Sequence, residues 1–140
     1  MLKEKFEQRL YQWKKFRESL ETDDDPISTC INFCNNLEYD RLWIDPYDKD
    51  QWPGPWDLLH QNLYCNLSKL LFFCYTFQLT DRFSQCSFEI HIGISQQQSA
   101  HHFVLFIDKL PIGYYNNTMC VLENLNDLET ELCVAMPAIY

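Results

Sequence analysis

The stretch YCNLSKLLFFCYTFQL, residues 64–79, decides the fold. Apolar side chains occupy most positions after Asn66, so the stretch predicts a helix from about Tyr64 or Cys65 to Leu79 with few positions that face water. A helix that is apolar around its whole circumference must be enclosed by other elements. The sequence therefore predicts that this helix lies at the centre of the core.

Two further helices are predicted before the core helix. Asp25 and Pro26 supply an N-cap and a first-turn proline for a helix from Ile27 to about Leu37. Residues 2–20 form an amphipathic helix, because their apolar side chains recur at helical spacing: Phe6, Leu10, Trp13, Phe16 and Leu20. Residues 1–37 are therefore the N-terminal helices of a chain that we expect to form one domain over residues 1–140.

Residues 38–55 form a loop, since they show no sustained period and contain three prolines and four aspartates. Their aromatic side chains are too apolar for a flexible linker, so we expect an ordered loop that lies against the domain. Because tryptophan often anchors protein interfaces, the candidate binding residues are Trp43, Trp52 and Trp56. The alternative is that Trp52 and Trp56 simply cover the core helix.

The second half of the chain changes to strand-like alternation. Residues 88–94, 102–108 and 112–115 predict a three-stranded antiparallel sheet. Leucines at helical spacing then predict a last helix over residues 121–132: Leu122, Leu125, Leu128 and Leu132. The expected fold class is α+β, in which helices pack on a small antiparallel sheet and residues 56–140 supply the core helix, the sheet and the C-terminal helix.

Composition excludes several classes of partner. The net charge of −9, from 20 acidic and 11 basic residues, disfavours a nucleic-acid-binding surface. No apolar run approaches the length of a membrane span, and no secretory signal is visible after the charged start, so we expect no membrane and a cytoplasmic location. With three glycines and no phosphate-binding motif, no nucleotide cofactor is expected. A protein partner is the remaining expectation.

Cys65 is the candidate nucleophile among seven cysteines, none of which forms a C-x-x-C pair. It stands at the start of the buried helix, where free N–H groups and the helix dipole favour a thiolate. His101 or His102 opens a later strand and could deprotonate it, and Asn116 or Asp108 could orient the imidazole. His102 is preferred over His101 by a small margin.

The run WPGPWDLL, residues 52–59, followed by Cys65 at the head of a buried helix and by a histidine-led strand, resembles the transglutaminase-like cysteine proteins, including small phage-encoded members. The resemblance extends from Trp52 to Asn116. It implies a papain-like arrangement with Cys65, His102 and Asn116 as the triad. If the site is active, the implied chemistry is acyl transfer or amide hydrolysis through a thioester.

The residues around Cys65 depart from that family, in which small residues and glycines tend to surround the cysteine. Here Tyr64 precedes it, and a side chain of that size hinders substrate entry. We therefore predict a noncatalytic protein-interaction module on a transglutaminase-like scaffold, as a phage accessory or virion protein in the host cytoplasm or the virion. The alternative is a cysteine-dependent acyl transferase or amidohydrolase.

A metal site is a further possibility on the predicted strands. Imidazoles and a carboxylate on two adjacent strands have the right chemistry for a transition metal: Glu89, His91, His101 and His102. They lack a tight ligand spacing on a helix or knuckle, so we interpret them as solvent-facing strand residues. The sequence thus predicts no metal and no cofactor.

Overall fold

The computed structural model describes residues 5–40, 44–95, 100–125 and 128–139. Four helices and one short 3-10 helix precede all the strands. The helices are α1 (Phe6–Leu20), α2 (Pro26–Asn35), α3 (Pro55–Gln61) and α4 (Asn66–Gln78), with the 3-10 turn at Lys49–Gln51. The strands are β1 (Phe88–Ser95), β2 (Ala100–Ile107), β3 (Leu110–Tyr115), β4 (Thr118–Val121) and β5 (Leu128–Ala135).

Local signals explain where the helices begin. The Asp25 carboxylate accepts a hydrogen bond from the Ser28 N–H at the start of α2, and Pro26 occupies the first turn, as predicted. Pro55 opens α3 in the same way, while the Asp57 carboxylate accepts from the Gly54 N–H. These caps satisfy backbone donors that no helical carbonyl reaches.

Helix α4 is the core element, which confirms the prediction from residues 64–79. Every residue from Leu67 to Gln78 is buried. Even the polar Thr76 is accommodated, because its hydroxyl accepts a hydrogen bond from the Trp13 indole at 2.9 Å and donates one to the Phe72 carbonyl. Helix α1 is thereby fastened to α4 by a buried side-chain contact.

The five strands form one antiparallel sheet in the order β4-β3-β2-β1-β5. Strand β1 lies between two strands: it pairs with β2 on one side and with the C-terminal β5, which is an edge strand, on the other. The inner face, which carries Ile90, Leu105 and Ile112, joins the core with α4. The opposite face is the outer face. The fold is therefore α+β, with helices packed on an antiparallel sheet, as predicted.

The predicted C-terminal helix over residues 121–132 is wrong. Leu122 leaves β4, and Leu128 opens β5, which pairs with β1 through Ile92↔Leu132 and Ile90↔Val134. Leucine spacing alone fits a helix, but Leu132 and Val134 also fit the two-residue period of a strand, and a register shift between Ile92 and Gly93 accommodates Leu128. The exposed edge of β1 decides between the two periods, because a bare strand edge gains backbone hydrogen bonds from a new partner.

No helix in the described part of the chain combines the length and the apolar character needed to cross a membrane.

Candidate functional site

Cys65 lies at the N-cap of α4, half-buried, with its thiol held by its own helix. The Cys65 N–H donates to Ser68 Oγ at 2.7 Å, and the Ser68 hydroxyl lies 3.3 Å from Cys65 Sγ and 3.1 Å from the Cys65 carbonyl. Ser68 itself is fully buried. The thiol is thus placed at a helix N-terminus, where the dipole favours negative charge, as the sequence predicted.

The N-terminal end of α4 is anchored to the hairpin between β3 and β4. The Tyr114 hydroxyl donates to the Asn66 carbonyl at 2.6 Å, and the Asn66 amide donates to Asn117 Oδ1 at 2.6 Å. Burial raises the pKa of Tyr114, and the nearby thiols of Cys34 and Cys65 add to that shift. Cys65 therefore sits at the end of the sheet where β2 begins and β3 ends.

Strand register places the two candidate histidines on opposite faces. His101 pairs with Ile94 and alternates with Phe103 and Leu105 toward the inner face, where α4 lies. His102 pairs with Gly93 and so belongs to the outer face. The register thus puts His101, and not the preferred His102, on the face that α4 covers, while the pairing of either imidazole with Cys65 stays a prediction.

His101 is contacted by a tyrosine from the loop that precedes α3. The Tyr47 hydroxyl lies 3.3 Å from His101 Nδ1 and donates to the Glu131 carboxylate at 2.6 Å. That hydrogen bond to Glu131 is the main reason that the pKa of Tyr47 is raised. Tyr47 and Glu131 are not among the site residues predicted from the sequence, since a contact between a loop and the last strand has no local signature.

Asn116 occupies a turn rather than a strand. Asn116 and Asn117 have φ values of 51° and 61°, and they join Tyr115 to Thr118 as a two-residue hairpin loop. Asparagine tolerates this left-handed backbone. The alternative third member, Asp108, lies at the other end of the sheet, where it accepts from the Ser87 N–H at 2.8 Å. Asp108 is therefore removed from the Cys65 group, and the role of Asn116 stays a prediction.

The candidate binding tryptophans differ in their burial and contacts. Trp43 lies outside the described residues. Trp52 is partly buried against the core, and its indole donates to the Asp45 carbonyl at 3.1 Å, which matches the covering role. Trp56 is 52% exposed although its ring meets Trp13 edge-on at 5.8 Å. Trp56 is thus the described tryptophan with a free face.

A second group of side chains lies on the outer face. Cys133 Sγ is 3.0 Å from the Glu89 carboxylate and 3.3 Å from His91 Nε2, and His91 Nε2 is 3.5 Å from Glu89. Glu89 and His91 are metal-ligand candidates from the sequence, but Cys133 is not, because a helix predicted over residues 121–132 leaves no strand to bring it to His91. The alternation of residues 132–135 is the signal that could have found it.

Comparisons with known proteins bear on the fold. No protein-family model matches the sequence, and no curated protein matches it. Among solved structures, calcium-bound LapG of Legionella pneumophila is similar, with a TM-score of 0.66 and 15% identity over 94% of this chain and 77% of LapG. An identity this low speaks for the fold alone. The chain therefore has the transglutaminase-like α+β fold, with a cysteine at the head of its core helix.

Proposed function

We propose that the chain is a noncatalytic protein-interaction module on a transglutaminase-like scaffold. The observation that carries the proposal is the Tyr47 phenol, which lies on His101 and donates to Glu131. A general base needs free access to the thiol that it deprotonates. Here the imidazole on the Cys65 side of the sheet has an aromatic ring against it, at a centroid distance of 5.6 Å.

The interaction surface is the aromatic loop, defined as residues 44–56. It exposes 42% of Tyr47 and 52% of Trp56, and its exposed acids are Asp45, Asp48 and Asp50. Tyrosine and tryptophan bury a large area with few rotatable bonds, and so anchor interfaces. The acidic rim favours a basic partner surface, which electrostatic attraction would steer toward the loop.

A groove beside the aromatic loop offers a place for a partner side chain. It measures about 360 Å³ and lies between the loop and the end of β5, with Trp52, Pro55, Tyr75 and Met136 among its walls. The Tyr75 hydroxyl donates to the Pro53 carbonyl at 2.8 Å, which holds the loop on the core helix. A loop fixed in this way loses little entropy on binding.

The resemblance of residues 52–116 to small phage-encoded proteins extends the proposal to a phage accessory or virion protein.

LapG is described as calcium-bound. Calcium prefers six to eight oxygen ligands, and the converging ligand group among the described residues mixes sulfur, nitrogen and oxygen. We propose no calcium function for this chain.

The test uses variants of the whole chain as bait and measures how much of a candidate partner protein each variant captures. Trp56→Ala should reduce partner capture at least about tenfold, as loss of an aromatic anchor does, while its melting temperature falls less than that of Trp52→Ala. Cys65→Ser should capture the partner as well as the unsubstituted chain. Loss of capture in Cys65→Ser, with Trp56→Ala unaffected, would overturn the module proposal.

The second candidate is a cysteine-dependent acyl transferase or amidohydrolase that uses Cys65 with Asn116 and with His102, or His101 from the inner face, as the base. The observation in its favour is the place of Cys65 at the N-cap of α4, with the buried Lys69 one turn into the same helix. Burial lowers the pKa of Lys69, and the nearby Cys34 and Cys65 oppose part of that shift. A neighbouring cation stabilises a thiolate. The rate of labelling with iodoacetamide at pH 6–7 distinguishes the candidates. In an enzyme, labelling should be fast and confined to Cys65, and the labelling of Cys65 should be slower in His101→Ala.

A further inference from the structure

We propose that Cys133, His91 and Glu89 form a binding site for a zinc-type divalent transition metal on the outer face of the sheet. This site lies on the face opposite the inner-face group of Cys65 and His101 and goes beyond the interaction function proposed above. One ligand atom from each residue converges, and all three atoms lie within 4.8 Å of one another.

The distances fit the edges of a coordination tetrahedron. Zinc binds sulfur at about 2.3 Å and nitrogen or oxygen at about 2.0–2.2 Å, so neighbouring ligand atoms in a tetrahedron stand roughly 3.4–3.6 Å apart. The observed separations are 3.0 Å from Sγ to the carboxylate, 3.3 Å from Sγ to Nε2, and 3.5 Å from Nε2 to the carboxylate. Small side-chain shifts therefore place all three around one ion.

The strands hold the three ligands in place. His91 and Cys133 are directly paired residues of β1 and β5, and Glu89 stands two residues before His91 on the same face. Directly opposite residues on one face have their Cβ atoms about 4.5–5.5 Å apart. The site is thus built on paired strands rather than on mobile loops, which favours a defined geometry.

The His91 ring is also oriented by its neighbours. Phe106 of β2 lies against it at a centroid distance of 4.6 Å, and Thr130 Oγ1 lies 3.4 Å from Nδ1. A hydroxyl on the far nitrogen is a common support of a metal-binding imidazole, because it fixes the ring and the tautomer. Nε2 is left to face Cys133 and Glu89.

The chemistry favours a metal ligand over a nucleophile at Cys133. Its thiol donates to the Glu89 carboxylate at 3.0 Å. A thiol beside a carboxylate is a poor nucleophile, whereas a metal cation replaces the thiol proton, which leaves to solvent. Mixed sulfur, nitrogen and oxygen ligands suit zinc and disfavour calcium or magnesium.

Three protein ligands leave a fourth tetrahedral position open. Cys133 is exposed, so that position faces solvent and takes a water or a donor atom from another molecule. The proposed ion would also cross-link β1 to its partner β5 at the edge of the sheet. Zinc binding should therefore stabilise the folded chain.

The test is metal binding to the purified whole chain. Calorimetric titration with Zn²⁺ should show one equivalent bound, and Co²⁺ should give the ultraviolet band of a thiolate-cobalt bond. Cys133→Ser and His91→Ala should each weaken binding at least about tenfold and remove the cobalt band. Cys120→Ser, which changes a half-buried cysteine on β4, is the matched control and should bind as the unsubstituted chain does.

Each other outcome overturns the site. No zinc binding at 100 times the protein concentration would do so, as would binding that Cys133→Ser leaves unchanged, or a cobalt band lost equally in Cys120→Ser. Because these side chains lie on the outer face, the variants are expected to fold, which circular dichroism checks. If Cys133→Ser does not fold, Glu89→Gln provides the same comparison with the thiol intact.

Discussion

The two faces of the sheet each carry a cysteine and a histidine, but the two groups are built differently. On the inner face, Cys65 comes from a helix N-terminus and His101 from a strand, and Tyr47 from a loop lies against the imidazole. On the outer face, Cys133 and His91 are cross-strand partners in direct contact at 3.3 Å. The residues of the inner group follow the sequence order of a cysteine-dependent site, whereas those of the outer group are brought together by strand pairing alone.

The comparison teaches that the order of residues along a chain and their contacts are separate kinds of information. Cys65 and His101 follow the sequence order of a cysteine-dependent site, and their elements meet at one end of the sheet. Cys133 is the last of the seven cysteines, and it reaches His91 only because β5 pairs with β1. Four variants or variant pairs test how far the two faces differ.

The largest effect is expected on the inner side. Leu71→Ala or Phe73→Ala removes a fully buried side chain of α4 and should lower the free energy of unfolding by about 2–5 kcal/mol, since a cavity remains. Phe106→Ala on the outer face should cost clearly less, because that residue is only partly buried. Urea denaturation measures all three. A loss below about 0.5 kcal/mol for both α4 variants would contradict the central role of the helix.

The next largest effect is expected for a substitution of Gly93, where β1 pairs with β5. A β-carbon at this position would collide with the Glu129 carbonyl, next to the register shift between Ile92 and Gly93. Gly93→Ala should therefore displace β5 and lower the free energy of unfolding by about 1–3 kcal/mol. Hydrogen exchange should show faster opening at β5 than at β3. Equal protection of the two strands would mean that β5 adapts without cost.

A smaller difference separates two tryptophans. Trp52→Ala should lower the free energy of unfolding by about 1–3 kcal/mol, because the indole packs on the core and donates to Asp45. Trp56→Ala should cost about half of that or less, since half of its surface is already exposed. Thermal melts compare the two directly. The reverse order of melting temperatures would reassign the anchor to Trp52 and the covering role to Trp56.

The smallest effect is the acid sensitivity of the outer group. Hydrogen bonds from Cys133 and His91 lower the pKa of Glu89, so its ionised form is favoured in the folded chain. The stabilisation is present above the pKa of about 4.3 of an unfolded glutamate and is lost as pH falls through the lower folded pKa. The melting temperature should fall slightly less between pH 5 and pH 3 in Glu89→Gln than in the unsubstituted chain. Identical pH curves would show that Glu89 gains nothing from Cys133.

The helices were predictable because their signals are local. Asp25 and Pro26 specify the start of α2 within three residues, and the apolar run of residues 64–79 requires burial by itself. Placing Cys65 at a helix N-terminus needed no knowledge of the rest of the chain. The fold class followed from the order of these elements.

The rest could not be predicted because it depends on which strands meet. His101 and His102 differ by one residue, so only the register of β2 against β1 decides which of them faces α4. Leu132 fits both a helical and a two-residue period until pairing with the edge of β1 selects the strand. The contact of Tyr47 with Glu131 spans 84 residues, and no spacing rule covers such a distance.

The pairing of β5 with β1 has a consequence for synthesis of the chain. During translation β1 is complete about 30 residues before β5 exists, so β1 presents an unpaired edge until β5 is made. Nascent chains or fragments that stop before residue 128 would keep that edge and would pair with one another. A C-terminal fusion that delays docking of β5 should therefore increase aggregation during expression, whereas the same fusion at the N-terminus should not.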